Sequence, residues 1–180
     1  MADASSAVCE NPDEETHRYV LNHTMLRIKD AERSLDFYTR ILGMRLASKF
    51  DFEQWKFSLY FLQARGHGQD SGSSPAATFS GSGLLELTHN WGSEDDPNFH
   101  PHSGNDEPKG YGHICIAVPD IEAACRRFEE LGVTFQKKLG EGGMKEIAFI
   151  RDPDGYWIEV VQPDLMPGLI ATATGAKAKA

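Results

Sequence analysis

The sequence predicts an α+β fold of two tandem β-α-β-β-β modules, and three observations carry that prediction. The first is an internal repeat: HTMLRIKD at 23–30 precedes SLDFYTRILGM, and HICIAVPD at 113–120 precedes AACRRFEELGV. The second is that each copy reads as a strand, a turn and a helix. The third is that each helix is followed by three short runs that alternate like strands.

Taken in order, residues 1–16 form an acidic, polar, disordered tail with no Lys or Arg and no apolar run, unlike a targeting peptide. The first module spans 17–91 and its first strand begins at His23. Asp30 is a natural helix N-cap, Leu35, Tyr38, Ile41 and Leu42 make an apolar stripe, and Gly43 stands where a C-terminal cap is expected. Strands follow at Met44–Phe50, Lys56–Gln63 and Leu84–His89. A Gly/Ser-rich insertion at 64–82 reads as a loop, and a Gly/Pro/Asn/acid-rich linker covers 92–112. The second module, 113–166, repeats the pattern with Asp120 as cap, the stripe Ile121, Ala124, Cys125, Phe128 and Leu131, and Gly132 as stop. Its strands are Thr134–Lys138, Glu146–Arg151 and Trp157–Gln162, the last two joined in a hairpin by the turn residues Asp152, Pro153, Asp154 and Gly155. Residues 167–180 read as a loose C-terminal tail.

Composition narrows the function. A chain of 180 residues has room for one domain or two related modules, and 27 acidic against 18 basic residues leave a net charge of −9. Nucleic acids and anionic membranes require a positive field, so neither is an expected partner. No run approaches the roughly 20 apolar residues of a membrane span. Cys9, Cys115 and Cys125 are odd in number and lack C-x-x-C spacing, which favours a reducing, cytoplasmic compartment over a disulfide framework.

The candidate chemistry lies in the repeat. One histidine opens the first strand of each module and one glutamate sits in its last strand: His23 with Glu86, His113 with Glu159. The histidines are 90 residues apart and the glutamates 73, and the difference of 17 is about the length of the 64–82 insertion. Strand alternation puts Glu86 opposite Leu85 and Leu87, and Glu159 opposite Ile158 and Val160, so both carboxylates leave the apolar face. Two imidazoles and two carboxylates suit a divalent zinc, nickel, cobalt, manganese or ferrous ion, with two octahedral positions left for substrate oxygens. The loop histidines His67, His100 and His102 read as hydrated. His89 faces away from Glu86 and reads as structural, and Cys115 and Cys125 as small core residues. The Asn22-His23-Thr24 sequon lies on a strand and is discounted. Walker, GxGxxG and GxSxG motifs are absent from the sequence.

The segments NHTMLRIKDAERSLDFYTRILGM, KFSLYFL, LELTHNWG, KGYGHICIAVPD and FIRDPDGYWIEVVQP resemble the glyoxalase I (lactoylglutathione lyase) family of the vicinal oxygen chelate superfamily, over about residues 20–166. The resemblance implies curved mixed sheets around a metal site and isomerisation of the methylglyoxal–glutathione hemithioacetal to S-D-lactoylglutathione, which detoxifies methylglyoxal. It implies His23, Glu86, His113 and Glu159 as ligands, Glu159 as the base, and Glu86 as its counterpart on the other substrate face. It further implies a homodimer in which His23 and Glu86 of one subunit meet His113 and Glu159 of the other. Longer animal-type members carry glutamine at the position of His23, where this sequence has histidine as the short nickel-using bacterial members do, whereas the long N-terminal tail and the 64–82 and 91–109 loops resemble the zinc-using class. Zinc is therefore the expected ion, with nickel or cobalt as the rival. By the same resemblance Arg27, Asn90, Lys109 and Lys137 meet glutathione, and Phe50, Phe52, Leu59, Phe61, Met144 and Met166 line the substrate pocket. The same fold also serves metal-dependent ring-cleaving dioxygenases and metal-free small-molecule binding proteins, which stand as the alternatives.

Overall fold

A computed structural model of the chain describes residues 4–65 and 74–175. Its strands are β1 (His23–Ile28), β2 (Arg45–Phe52), β3 (Phe57–Gln63), β4 (Leu84–Asn90), β5 (His113–Ala117), β6 (Phe135–Lys137), β7 (Ala148–Arg151) and β8 (Trp157–Val161). Its helices are α1 (Ala31–Asp36), which runs on as a π-helical turn Phe37–Ile41, α2 (Pro75–Ser80), α3 (Ile121–Glu130) and α4 (Met166–Thr174). The strands form two mixed sheets of identical plan, β1-β4-β3-β2 and β5-β8-β7-β6. In each, the first and last strands of the module pair in parallel and the rest in antiparallel. The repeat read from sequence is thus a repeat of topology.

Local chemistry explains both helix starts. Asp30 accepts from the amides of Glu32 and Arg33, and Asp120 from that of Ala123, so each aspartate satisfies donors at the open helix end. Gly43 and Gly132 end the two helical segments at φ +72° and +70°, a region that strains residues with a Cβ.

One face of each sheet enters a common core. Leu26, Ile28, Tyr60, Leu62, Leu85 and Leu87 of the first sheet belong to the same buried cluster as Ala148, Ile150, Ile158 and Val160 of the second. Tyr38 and Phe37 from the first helical segment and Ile121, Cys125 and Phe128 from α3 complete it. Because strands alternate, the opposite faces of both sheets point away from this core.

Polar clasps reinforce the joint. The hairpin turn between β7 and β8 reaches across to the first module: Tyr38 Oη donates to Asp152 Oδ2 at 2.8 Å, and Tyr156 Oη donates to the Arg27 carbonyl at 3.0 Å. Asp154 accepts from the Lys29 amide and the Ser34 hydroxyl. On the other side Arg127 donates to the carbonyls of Ile41 and Arg40, closing the end of the first helical segment. The sequence marks 152–155 as a turn; that it is also the clasp between modules is visible only in three dimensions.

Several segments differ from expectation. α2 lies inside the insertion read as a loop, started by Ser74, whose hydroxyl accepts from the Ala77 amide, and by Pro75 at its first position. α4 occupies much of the stretch read as a loose tail and buries Leu169. Residues 4–7 and 14–18, in and beside the stretch read as disordered, form short 3-10 turns without buried side chains. The strand expected from Glu146 begins at Ala148, because Lys137 Nζ ties the carbonyls of Met144 and Ile147 into a loop. Leu131 is 38% exposed rather than a core residue. His67 lies outside the described residues. No described helix is long and apolar enough to cross a membrane.

Asp152 makes the clasp sensitive to pH. Burial pushes its carboxyl up to about 6, against the bonds from Tyr38 and from the amides of Tyr156 and Asp154. The folded protein therefore holds this proton over a range, roughly pH 4 to 6, where the unfolded chain has released it. The group's contribution to stability falls as pH rises through that window. Asp152→Asn removes the titration while its amide can still pair with Tyr38 and the turn. In denaturant unfolding series, the stability of Asp152→Asn relative to the natural protein should rise between pH 4 and 6.5 and then level off; a constant difference would contradict the assignment.

Candidate metal centre

Parallel pairing of β1 with β4 and of β5 with β8 brings together the histidine and glutamate of each module. His23 Nε2 lies 3.1 Å from Glu86 Oε2, and His113 Nε2 lies 3.4 Å from Glu159 Oε2. The matching extends to aromatic residues. The Phe61 ring meets the His23 ring edge-on at 5.3 Å, and Phe149 meets His113 at the same distance in the same arrangement. Register explains this, since Phe61 sits beside Glu86 and Phe149 beside Glu159 on the antiparallel neighbour strands. Phe149 is a site-face residue that sequence reasoning missed, although alternation around Glu159 carried the signal.

The two carboxylates have different neighbours. Thr88 Oγ1 donates to Glu86 Oε1 at 2.9 Å, which leaves Oε2 toward His23. Glu159 has Val161 at the corresponding place and Cys115 beside it on β5. Cys115 is exposed rather than the small core residue expected, and partial desolvation with the nearby Glu159 pushes its thiol up to about 12, so it is a neutral thiol rather than a nucleophile. His89 faces the other side of β4 and bonds Glu94 Oε2 at 2.7 Å, the structural role expected of it.

The surrounding residues divide between the two pairs. In register, Phe50, Leu59 and Phe61 share the face of Glu86, and Phe52 stacks on Phe57 farther along the same face. α2 adds Phe79, which stacks on Phe50 and meets Phe61 edge-on; it is 55% exposed and was hidden in the insertion. Arg27 follows His23 by four residues on β1, and Asn90 follows Glu86 by four on β4, so both lie on this face. Lys137 lies opposite Phe149 beside Glu159, with its ammonium on the Met144 and Ile147 carbonyls. Met144 is exposed on that loop and Met166 begins α4. Lys109 is exposed on the linker.

Among the described residues no group of three or more His, Cys, Asp or Glu side chains comes together to hold an ion. The four candidate ligands form two separate pairs on faces directed away from the common core. Each pair supplies one imidazole and one carboxylate, so two such halves make the four-donor set that a borderline divalent ion accepts. A crevice of about 700 Å³ between Pro119, Asp120, Leu139, Lys145, Gln162 and Leu165 touches neither pair.

Two β-α-β-β-β modules with a histidine–glutamate pair at equivalent strand positions define a protein of the paired-module class. The chain belongs to the Glyoxalase/Bleomycin resistance protein/Dioxygenase superfamily, whose family model matches residues 20–160. It is 56% identical over 162 residues to the lactoylglutathione lyase of Pseudomonas aeruginosa, covering 88% of this chain and 90% of that one. A lactoylglutathione lyase of Pseudomonas putida is 53% identical over 163 residues, covering 87% and 92%. Among solved structures, the trypanothione-dependent glyoxalase I of Leishmania major matches with a TM-score of 0.63 and 31% identity, over 88% of this chain and 99% of that one.

The linker presents Lys109 on a loop closed at its base. The Gly110 amide donates to the Gly104 carbonyl at 2.9 Å, and Asn105 Nδ2 bonds the Gly112 carbonyl. Gly104 has φ +84°, and a Cβ there would fall 2.0 Å from the Tyr111 carbonyl oxygen, a backbone atom that cannot step aside. Gly104→Ala should therefore open the loop. Hydrogen exchange should show lost protection of the Gly110 amide with both sheets unchanged; retained protection would contradict the closure.

Proposed function

We propose that this chain is a lactoylglutathione lyase that converts the methylglyoxal–glutathione hemithioacetal into S-D-lactoylglutathione, removing methylglyoxal in the cytoplasm. One observation carries the reading: register-equivalent His/Glu pairs stand on two outward faces of a chain 56% identical to a lactoylglutathione lyase.

The proposed active unit is a homodimer. The first pair of one subunit, His23 and Glu86, joins the second pair of its partner, His113 and Glu159, in holding one divalent ion. Zinc is the proposed ion, with nickel or cobalt the alternative. Bound there, the ion supplies Lewis-acid stabilisation of the negative charge that develops on the two neighbouring substrate oxygens.

The chain's own groups do the rest. Glu159 takes the proton from the carbon that bears sulfur and returns it, or an exchanged one, to the adjacent carbon. The hydroxyl proton of the first carbon passes to the oxygen of the second, so the first becomes the thioester carbonyl and the second an alcohol, and no oxidant or reductant is consumed. Glu86 faces the opposite side of the substrate and serves the other diastereomer formed by non-enzymatic addition. Arg27 and Asn90 from the face of the first pair, with Lys137 of the second sheet and Lys109 of the linker, bind the glutathione end and bring positive charge to it in a chain of net charge −9. The apolar face of Phe50, Phe52, Leu59 and Phe61, with Met144 and Met166, receives the methyl and thioester end and excludes water.

The direct experiment is to incubate purified protein, loaded in turn with zinc, nickel and cobalt, with methylglyoxal and glutathione while following thioester formation. Thioester formed with at least one ion and abolished by chelation supports the reading. No turnover with any ion refutes it. The two glutamates are then separated by substitution. Glu159→Gln keeps size and a coordinating oxygen but is a poor proton acceptor, so kcat should fall by about 10²–10⁴-fold. Glu86→Gln should leave about half the substrate turning over at a near-normal rate if it serves a single diastereomer. Progress curves run to completion, with bound metal quantified, decide between these roles; near-natural kcat and full metal in Glu159→Gln would remove it as the base.

A further inference from the structure

The two half-sites are not equally prepared, and the difference lies in the residue before each histidine. Asn22 Nδ2 donates to two main-chain carbonyls at the end of α2, Thr78 at 3.0 Å and Gly81 at 2.8 Å. Both amide protons are thereby used, and the orientation of the amide is set. Its Oδ1 then lies 2.6 Å from His23 Nδ1. An amide oxygen only accepts, so Nδ1 must carry the proton of the neutral imidazole. Nε2 is left with a bare lone pair, and it faces Glu86 Oε2 at 3.1 Å. Two lone pairs at that distance repel unless a proton or a metal cation lies between them, and in either case Nδ1 holds its own proton toward Asn22.

The second module is supported differently. Gly112 precedes His113 and offers no side chain, Val161 stands where Thr88 bonds Glu86, and Glu159 has the Cys115 thiol, a weaker donor, beside it instead. The His113 side chain is accordingly more exposed than that of His23, 42% against 30%.

We propose that Asn22, held by the end of α2, is a positioning residue that locks His23 in the Nδ1–H tautomer, so that the first half-site presents a preformed lone-pair donor while the second is left to adapt. The inference deepens the reading of His23 as a metal ligand and rests on it. It also gives α2 a purpose: the helix supplies the carbonyls that orient Asn22, and its buried Thr78 hydroxyl lies 2.5 Å from Ser48 Oγ on β2, which fastens it to the sheet. Partners that orient a ligating imidazole typically alter metal affinity by about 10–100-fold when removed.

The test begins with metal-free full-length protein labelled with ¹⁵N at histidine, at a pH where the imidazoles are neutral. The expected spectrum shows His23 as a single Nδ1–H tautomer and His113 as a mixture. Asn22→Ala should return His23 to a mixture and weaken zinc or cobalt binding, measured by competition with a chelator, by about 10–100-fold with unchanged circular dichroism. His23 protonated at Nε2 in the natural protein overturns the proposal, as does a folded Asn22→Ala with unchanged affinity. Should Asn22→Ala fail to fold because α2 is released, the natural protein's spectrum still decides the tautomer. A locked His23 in a protein that binds no divalent ion overturns the ligand reading instead, and so separates the two failures.

Discussion

The structure depends on a single packing decision: the inner faces of both sheets share one core. Ile28 and Leu87 from the first module and Ile158 and Val160 from the second are all fully buried in it. Each such side chain contributes about 1.5–3 kcal/mol of burial, so neither module can turn its apolar face elsewhere. The consequence is geometric. Once the inner faces meet, the histidine–glutamate faces point away from the joint, and the two pairs of one chain stand apart. The proposed four-donor site would then be assembled from two such faces.

The clasp formed by Asp152, Asp154 and Tyr156 fixes how the modules sit on that core. It holds the first module by its backbone at Arg27 and Lys29 and by the side chains of Tyr38 and Ser34. Lys29 passes the constraint on: its carbonyl accepts from Ser93, and its ammonium holds the carbonyls of Asp96 and Phe99 at the start of the linker. Tyr111, at the far end of the linker, packs edge-on against Tyr156. The hairpin turn therefore anchors both ends of the segment that carries Lys109, and it does so from the same few residues that join the modules.

Much of this was legible in the sequence because it was said twice. Two copies of strand, capped helix and strands, each with its histidine and glutamate in the same place, carry a signal that a single copy would not. What escaped were the parts said once. α2 is six residues long among glycines and serines, and its helical form depends on a Ser74 cap and on contacts of Thr78 with Ser48 and Asn22, distant in the chain. Phe79 was lost with it. The helix Met166–Thr174 has no side-chain N-cap, and its evident function in the fold is the burial of Leu169, which local pattern does not announce. The proposed tautomer lock at His23 is also out of reach of local pattern, since Asn22 reads as part of a sequon and its partners at Thr78 and Gly81 are distant in the chain.

The central claim is that one working site takes its first pair from one chain and its second pair from another. It is tested most directly by mixing His23→Ala protein with His113→Ala protein, each inactive alone, under conditions that let subunits exchange. A heterodimer of the two has one site with both histidines missing and one site with both intact. Random exchange makes half of all dimers mixed, so the account predicts recovery of about a quarter of the natural activity. A mixture as inactive as its components, with subunit exchange verified, would place all four ligands of a site on one chain and contradict the account.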